Sequence, residues 1–260
     1  MIGVFDSGLG GLSVLAAIAR ALPRADLLYL ADTAHVPYGD KPEGFITGRV
    51  LAIGKHLADQ GCDLIVVACN TATTTAIQAL RDNLPGVPVV GVEPGVKPAA
   101  QASRSHHIAV LVTTATAKSQ RLAQLIKQHA NGTQVAVVPC PGWATHVETL
   151  QADTPALRAA VAAKIEPLVA AGVDQIVLGC THYAFLTPLI APLLNEQVEL
   201  VDVAAAVARQ VVRLSGEQTG GQARLILQAT AYPERLRAAL PALGLQALAE
   251  RSGPAHQVTL

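Results

Sequence analysis

The chain has 260 residues, 51% hydrophobic and 15% charged, so it is not a disordered chain and can bury a large core in two compact α/β lobes. Lys plus Arg and Asp plus Glu each number 19, which leaves no basic balance for nucleic acid, and aromatics at 3% leave no stacking surface for bases. No apolar run has the length of a membrane span, Met1–Phe5 carries no basic leader, and the cysteines at 62, 69, 140 and 180 lack zinc-ligand spacing, so a soluble cytoplasmic protein with free thiols is expected.

In chain order, Ile2–Phe5 reads as a short buried strand ending in Asp6-Ser7-Gly8-Leu9-Gly10-Gly11. A helix is predicted over Leu12–Ala21, stopped by Pro23. Leu27–Leu30 is a second strand, followed by Ala31-Asp32-Thr33 and a loop rich in turn formers, His35–Pro42. Phe45–Gln60 reads as a helix and Leu64–Ala68 as an apolar strand, the pattern of a parallel sheet buried on both faces. The scheme then repeats with strand Ile108–Val112, helix Ser119–Ala130, strand Val135–Val138, helix Pro155–Ala171 and strand Ile176–Leu178. A tail with a strand at Arg224–Gln228 and a helix from Pro233 is expected to pack back on one lobe. The alternation predicts an α/β fold of two pseudo-symmetric lobes, each a mostly parallel sheet flanked by helices, with the active site between them. Residues 1–93 plus 206–260 are assigned to lobe 1, and residues 94–205 to lobe 2.

An internal repeat supports that division. Gly61-Cys62-Asp63-Leu64-Ile65-Val66-Val67-Ala68-Cys69-Asn70 resembles Gly172-Val173-Asp174-Gln175-Ile176-Val177-Leu178-Gly179-Cys180-Thr181, offset by 111 residues. Cys69 and Cys180 thus follow matching strands, where ligands bind in open α/β sheets. Each is followed by polar residues suited to start a helix, which would lower the thiol pKa and leave backbone N–H groups for a carboxylate. Two thiols facing each other across a cleft suit racemisation, because one can remove a proton from one face while the other protonates the opposite face. Cys62 and Cys140 lack this pairing and read as small buried hydrophobes.

With these motifs the chain resembles the glutamate racemases of the cofactor-independent aspartate/glutamate racemase family. The resemblance runs through Phe5–Val14, Ala31–Lys41, Ala68–Thr73, Gly91–Ala99 and Leu178–Tyr183. It implies interconversion of L- and D-glutamate without pyridoxal phosphate or metal, supplying D-glutamate for peptidoglycan, and a homodimer as the assembly. It implies Cys69 and Cys180 as the catalytic pair, assisted by Asp6 and His182, with Glu148 near that histidine. The substrate-binding positions it implies are Asp6, Ser7, Pro37, Tyr38, Gly39, Asn70, Thr71, Thr73, Thr116, Thr181 and His182. These types fit a ligand with two carboxylates and one ammonium: hydroxyls and amides for the carboxylates, Asp6 for the ammonium or a thiol proton. His182 can keep Cys180 deprotonated.

The chain departs from the family at positions 112 and 115, where it lacks the usual glycines, at Ala184-Phe185, and through the small polar segment Cys140–His146. Rival readings are a racemase of another amino acid such as aspartate, a Cys–His hydrolase or amidase, and a non-catalytic amino-acid-binding module. Gly8-Leu9-Gly10-Gly11 also hints at a dinucleotide loop, but Ser13 stands at its third glycine. Asp32 either caps a helix or lines the cleft, Asp63 and Asp174 are expected to cap turns, and the histidines other than His182 are expected in loops or at the surface.

Overall fold

Val4 and Phe5 leave the same strand on opposite faces, and each face meets its own layer of helices. This is seen in a computed structural model that describes residues 1–215 and 220–260. Among the described residues, the strands form two wholly parallel sheets. The first comprises β1 (Ile2–Asp6), β2 (Leu27–Ala31), β3 (Leu64–Val67), β4 (Val89–Gly91), β9 (Leu225–Ala229) and β10 (Ser252–Gln257), in the order β10-β9-β2-β1-β3-β4. The second comprises β5 (His107–Val112), β6 (Gln134–Pro139), β7 (Gln175–Leu178) and β8 (Glu199–Val201), in the order β6-β5-β7-β8.

The order β2-β1-β3-β4 is therefore repeated as β6-β5-β7-β8, and the register repeats with it. Ile2 pairs with Leu64, and Ile108 with Gln175. Beyond the strands, the Ala68 N–H donates to the Phe5 carbonyl at 2.8 Å, and the Gly179 N–H to the Leu111 carbonyl at 2.8 Å. The backbone that delivers Cys69 and the backbone that delivers Cys180 are thus built alike.

Apolar residues on every face of β1–β3 explain why the first sheet is central. One face (Val4, Leu27, Tyr29, Val66) packs on α1 (Leu12–Ala21). Its other face (Phe5, Leu28, Ile65, Val67) packs on α2 (Glu43–Asp59) and α3 (Asn70–Asn83). Two later helices change sides. After β4, α4 (Val96–Ala102) packs on β5 and β7, against α6 (Gln120–His129), which follows the short α5 (Thr114–Lys118). The opposite face of the second sheet carries α7 (Trp143–Glu148), α8 (Pro155–Ala170) and α9 (Thr187–Ile190). Thr154 caps α8, its hydroxyl accepting the Leu157 N–H at 3.2 Å, with Pro155 in the first turn. The chain then returns, and α10 (Ala204–Ser215) packs on α1, followed by α11 (Pro233–Ala242) and α12 (Gln246–Arg251) beside β9 and β10. At the two crossings Gly95 lies against Val203, where an added Cβ would stand 2.9 Å from a Val203 methyl.

No described helix is long and apolar enough to cross a membrane.

Candidate active site

Cys69 and Cys180 are both buried and share an extended conformation, with φ/ψ of −138°/117° and −144°/133°. Their sequels differ. Asn70 opens the 14-residue α3, and the Ala72 N–H donates to Cys69 Sγ at 3.5 Å. After Cys180 the chain makes a 3₁₀ turn over Thr181–Leu186 instead of the α-helix expected there. Pro188 accounts for the break, since it has no N–H for the Ala184 carbonyl and its ring would clash with that carbonyl in a continuous helix.

The expected lowering of the Cys69 thiol is reversed. Burial pushes it well up and the neighbouring Asp6 charge adds to this, outweighing the Ala72 N–H. Burial also raises the Asp6 carboxyl, against the charge of His182 and the Gly11 N–H. Asp6 Oδ2 accepts N–H bonds from Gly11 at 2.8 Å and Gly8 at 3.3 Å, while Oδ1 is buried without a partner. Ser7 Oγ lies 4.0 Å from Cys69 Sγ. The two thiols sense each other, because charge on Cys180 further raises Cys69.

On the other side, His182 Nδ1 is 3.6 Å from Cys180 Sγ, and its Nε2 is 2.5 Å from Glu148 Oε1. Burial works against a charged ring, but the hydrogen bonds to Cys180 and Glu148 win and push His182 well up. Both partners therefore favour the charged ring. The Leu9 N–H also donates to Glu148 Oε1, at 2.6 Å.

Residues 8–11 therefore serve both sulfurs: two of their N–H groups bind Asp6 and one binds Glu148. Their glycines permit this approach. A Cβ on Gly8 would stand 2.1 Å from Glu148 Oε1, and one on Gly10 would stand 2.4 Å from His182 Nδ1. The motif is a packing device between two sheets and needs no dinucleotide. Tyr29, buried in β2, fixes the turn by donating its hydroxyl to the Gly8 carbonyl at 2.6 Å. Gly8→Ala should displace the Glu148 carboxyl and lower kcat by about 10²-fold in a folded protein, as steady-state rates and thermal melting will show.

The other sequence-predicted positions divide in two groups. Thr71 and Thr116 do meet: the Thr71 hydroxyl is 3.1 Å from that of Thr113 and 3.4 Å from that of Thr116. Thr113, not among the predicted binding positions, donates to the Thr116 hydroxyl at 3.0 Å and completes a knot across the two sheets. Its signal was the Thr113-x-x-Thr116 capping pattern. Asn70 Nδ2 reaches the Val92 carbonyl at 3.4 Å, leaving Oδ1 buried and unpartnered. The Thr181 carbonyl accepts the Ser13 hydroxyl at 3.4 Å, and Thr181 Oγ1 faces Gly10.

Thr73 differs, since its hydroxyl is committed to the Val67 carbonyl at 3.2 Å. Tyr38 is buried and donates to Asp32 Oδ2 at 2.6 Å, with Pro37 half-buried before it and Gly39 against the Thr113 side chain after it. Asp32 thus neither caps a helix nor faces the sulfurs. Asp174 caps a turn as expected, accepting the Ser103 hydroxyl and the N–H groups of Arg104 and Ser105, whereas Asp63 pairs with the Met1 amine. His35 binds Asp32 and His56 binds Gln228, away from the cysteines. Among the described residues, no three His, Cys, Asp or Glu side chains are grouped to hold a metal ion.

The chain is similar to known proteins over nearly its whole length. The glutamate racemase of Pseudomonas putida is 47% identical over 248 residues, 93% of this chain and 93% of that protein. That of Pseudomonas entomophila is 45% identical and covers 97% of each chain. The Escherichia coli glutamate racemase, solved with L-glutamate and the activator UDP-MurNAc-ala, superposes with a TM-score of 0.87 at 31% identity, covering 99% of this chain and 97% of that one. The Thermus thermophilus glutamate racemase, solved with beta-chloro-D-alanine, gives a TM-score of 0.80 at 36% identity over 100% of this chain and 96% of that one. The Asp/Glu/Hydantoin racemase family model matches residues 2–211. With that match across most of its length, the chain belongs to the Asp/Glu/Hydantoin racemase family of isomerases.

Proposed function

We propose that the protein interconverts L- and D-glutamate, with Cys69 and Cys180 as the two acid/base groups. One observation carries the reading. Equivalent strand ends present two buried sulfurs, and each has its own titratable neighbour, Asp6 beside Cys69 and the His182–Glu148 pair beside Cys180, joined by the single turn Gly8–Gly11.

In one direction a thiolate takes the α-proton, forming an S–H bond, and the electron pair passes to the α-carbon and its carboxylate. The opposite thiol then gives its proton to the other face and becomes the thiolate. The two sulfurs have exchanged states, and the reverse reaction uses them in the opposite order. A single base would mostly return the proton to the face it left. Asp6 Oδ1 and Asn70 Oδ1 are acceptors suited to the substrate ammonium, and the Thr71, Thr113 and Thr116 hydroxyls are donors suited to a carboxylate. Ser7, Pro37, Tyr38, Gly39, Thr73 and Thr181 belong to the proposed pocket wall, Thr73 through its place in the first turn of α3. The domain division proposed with this reading is lobe 1 carrying Cys69 and lobe 2 carrying Cys180. D-glutamate made in the cytoplasm would serve peptidoglycan synthesis, with no added cofactor, in an enzyme that works as a homodimer.

The test is incubation of purified protein with L-glutamate in D₂O, no cofactor added. Circular dichroism should show decay to zero rotation, and mass spectrometry one α-deuterium in the product of inverted configuration. Racemisation of aspartate but not glutamate would reassign the substrate. Neither loss of rotation nor deuterium uptake with any amino acid would favour a Cys–His hydrolase or a binding module and end the proposal.

A further inference from the structure

We infer that Asp32, Arg49 and Thr230 form a pin that positions the segment Pro37–Gly39 over the cleft, a device supplied by the added strands β9 and β10. The inference rests on the racemase reading and assigns positioning residues to that same site.

The two lobes diverge where this pin stands. The Asp32 N–H donates to the Asp6 carbonyl at 3.0 Å, and the Cys140 N–H to the Val112 carbonyl at 2.9 Å, so Asp32 and Cys140 hold corresponding places. In the second sheet β6 is an edge, and Cys140 turns its thiol to the Val138 carbonyl. In the first sheet β9 and β10 continue beyond β2, and a carboxylate takes the place of the thiol.

That carboxylate is fully buried and saturated with donors. Asp32 Oδ1 takes the Arg49 Nη2 at 2.9 Å, the Thr230 hydroxyl at 2.8 Å and the His35 ring at 3.0 Å. Oδ2 takes the Arg49 Nε at 2.9 Å and the Tyr38 hydroxyl at 2.6 Å. The Arg49 fork is the bidentate geometry that lysine cannot reproduce. Its remaining nitrogen Nη1 reaches the Leu260 carbonyl at 2.9 Å. Thr230, just past β9, also accepts the Ala34 N–H at 3.0 Å, and the Ala231 N–H donates to Thr33 Oγ1 at 3.0 Å. The start of the loop is thus laced to β9, and Tyr38 is tied to the same carboxylate.

The far side of the segment touches the site. The Tyr38 ring packs in the cluster that contains Cys69 and Ile46. Gly39 lies so close to Thr113 that a Cβ would stand 3.0 Å from the Thr113 Cβ. Outside it opens a polar cavity of about 800 Å³ lined by Gly39, Asp40, Lys41, Thr74, Thr114 and Lys118. Tyr38–Gly39 is the wall between that open cavity and the buried sulfur, and Asp32 holds the wall in place without touching the reacting atoms.

The experiment combines glutamate kinetics with hydrogen exchange of amides 33–42 in Arg49→Met, Arg49→Lys, Thr230→Val and a control, Asp26→Asn, which breaks the exposed Asp26–Arg224 pair of the same lobe. The expected result is a KM about tenfold higher in Arg49→Met with kcat within about threefold, a smaller rise in Thr230→Val, and partial recovery in Arg49→Lys. Exchange at 33–42 should quicken in the first and third variants while β1 and β3 amides keep their protection, and Asp26→Asn should match wild type in both readouts. Unchanged exchange and KM in folded Thr230→Val, or equal changes in Asp26→Asn, would overturn the pin. If Arg49→Met does not fold, Thr230→Val, which keeps the side-chain shape, decides the matter. Should wild type leave glutamate unchanged, the racemase reading fails and the exchange data alone judge the pin.

Discussion

Cys69→Ala and Cys180→Ala should each abolish racemisation in both directions, by ~10⁴-fold or more, while the protein melts within a few degrees of wild type. The size follows from the chemistry. With one sulfur gone, either the α-proton has no acceptor on one face or the carbanion has no donor on the other. The symmetry of the loss follows from thermodynamics: the enantiomers have equal free energies, so kcat/KM must remain equal in the two directions whatever the variant. What can differ is isotope exchange. The surviving thiol can remove and return a proton on its own face, so each variant should wash deuterium into only one enantiomer, and the two variants into opposite ones. That pattern assigns each sulfur to a face. Full two-way turnover in either variant, or exchange into both enantiomers by one of them, would end the two-base scheme.

How Cys69 and Cys180 come to stand at equivalent strand ends was legible from repetition. Gly61–Asn70 and Gly172–Thr181 repeat because the same strand, with the same register against β1 or β5, must be made twice. The runs at Ile2, Leu27, Leu64, Ile108 and Ile176 announced themselves because strands buried on both faces are continuously apolar. What stayed hidden depends on partners distant in sequence or on local breaks. β10 reads Ser-Gly-Pro-Ala-His-Gln and carries no strand signal; Pro254 is tolerated at an edge where the register shifts between Ser252 and Ala255. The role of Asp32 requires Thr230, 198 residues away, which no periodicity connects to it. Cys69 shows the same limit in energetic form. Its place at a helix start was readable and suggested a lowered thiol, but the burial that reverses the sign comes from tertiary packing around it. Likewise, the glycines of Gly8–Gly11 were visible as a motif, while their reason, the approach of Glu148 and His182 from the other sheet, was not.

Glu148→Gln should lower kcat by about 10²-fold and change the way stability depends on pH. In wild type the folded His182 is raised well above its ordinary value near 6.5, with Cys180 and Glu148 holding the charged ring against the cost of burial. A raised histidine binds its proton more tightly folded than unfolded, so the stability it contributes is complete below about pH 6.5 and is lost as pH rises through the folded value. Each unit of that shift corresponds to about 1.4 kcal/mol. Glutamine keeps the shape and the contact with the Leu9 N–H but removes the negative charge, so the folded His182 value falls back. Urea unfolding at pH 6, 7.5 and 9 should therefore show the largest deficit of Glu148→Gln at pH 6, closing as pH rises. The alkaline limb of kcat should move to lower pH in the same variant, because the ring that handles the Cys180 proton now loses its own proton earlier. A deficit independent of pH, with an unmoved alkaline limb, would mean that the buried ring is neutral in the folded protein. The asymmetry between a carboxyl serving Cys69 and an imidazolium serving Cys180 would then have to be abandoned.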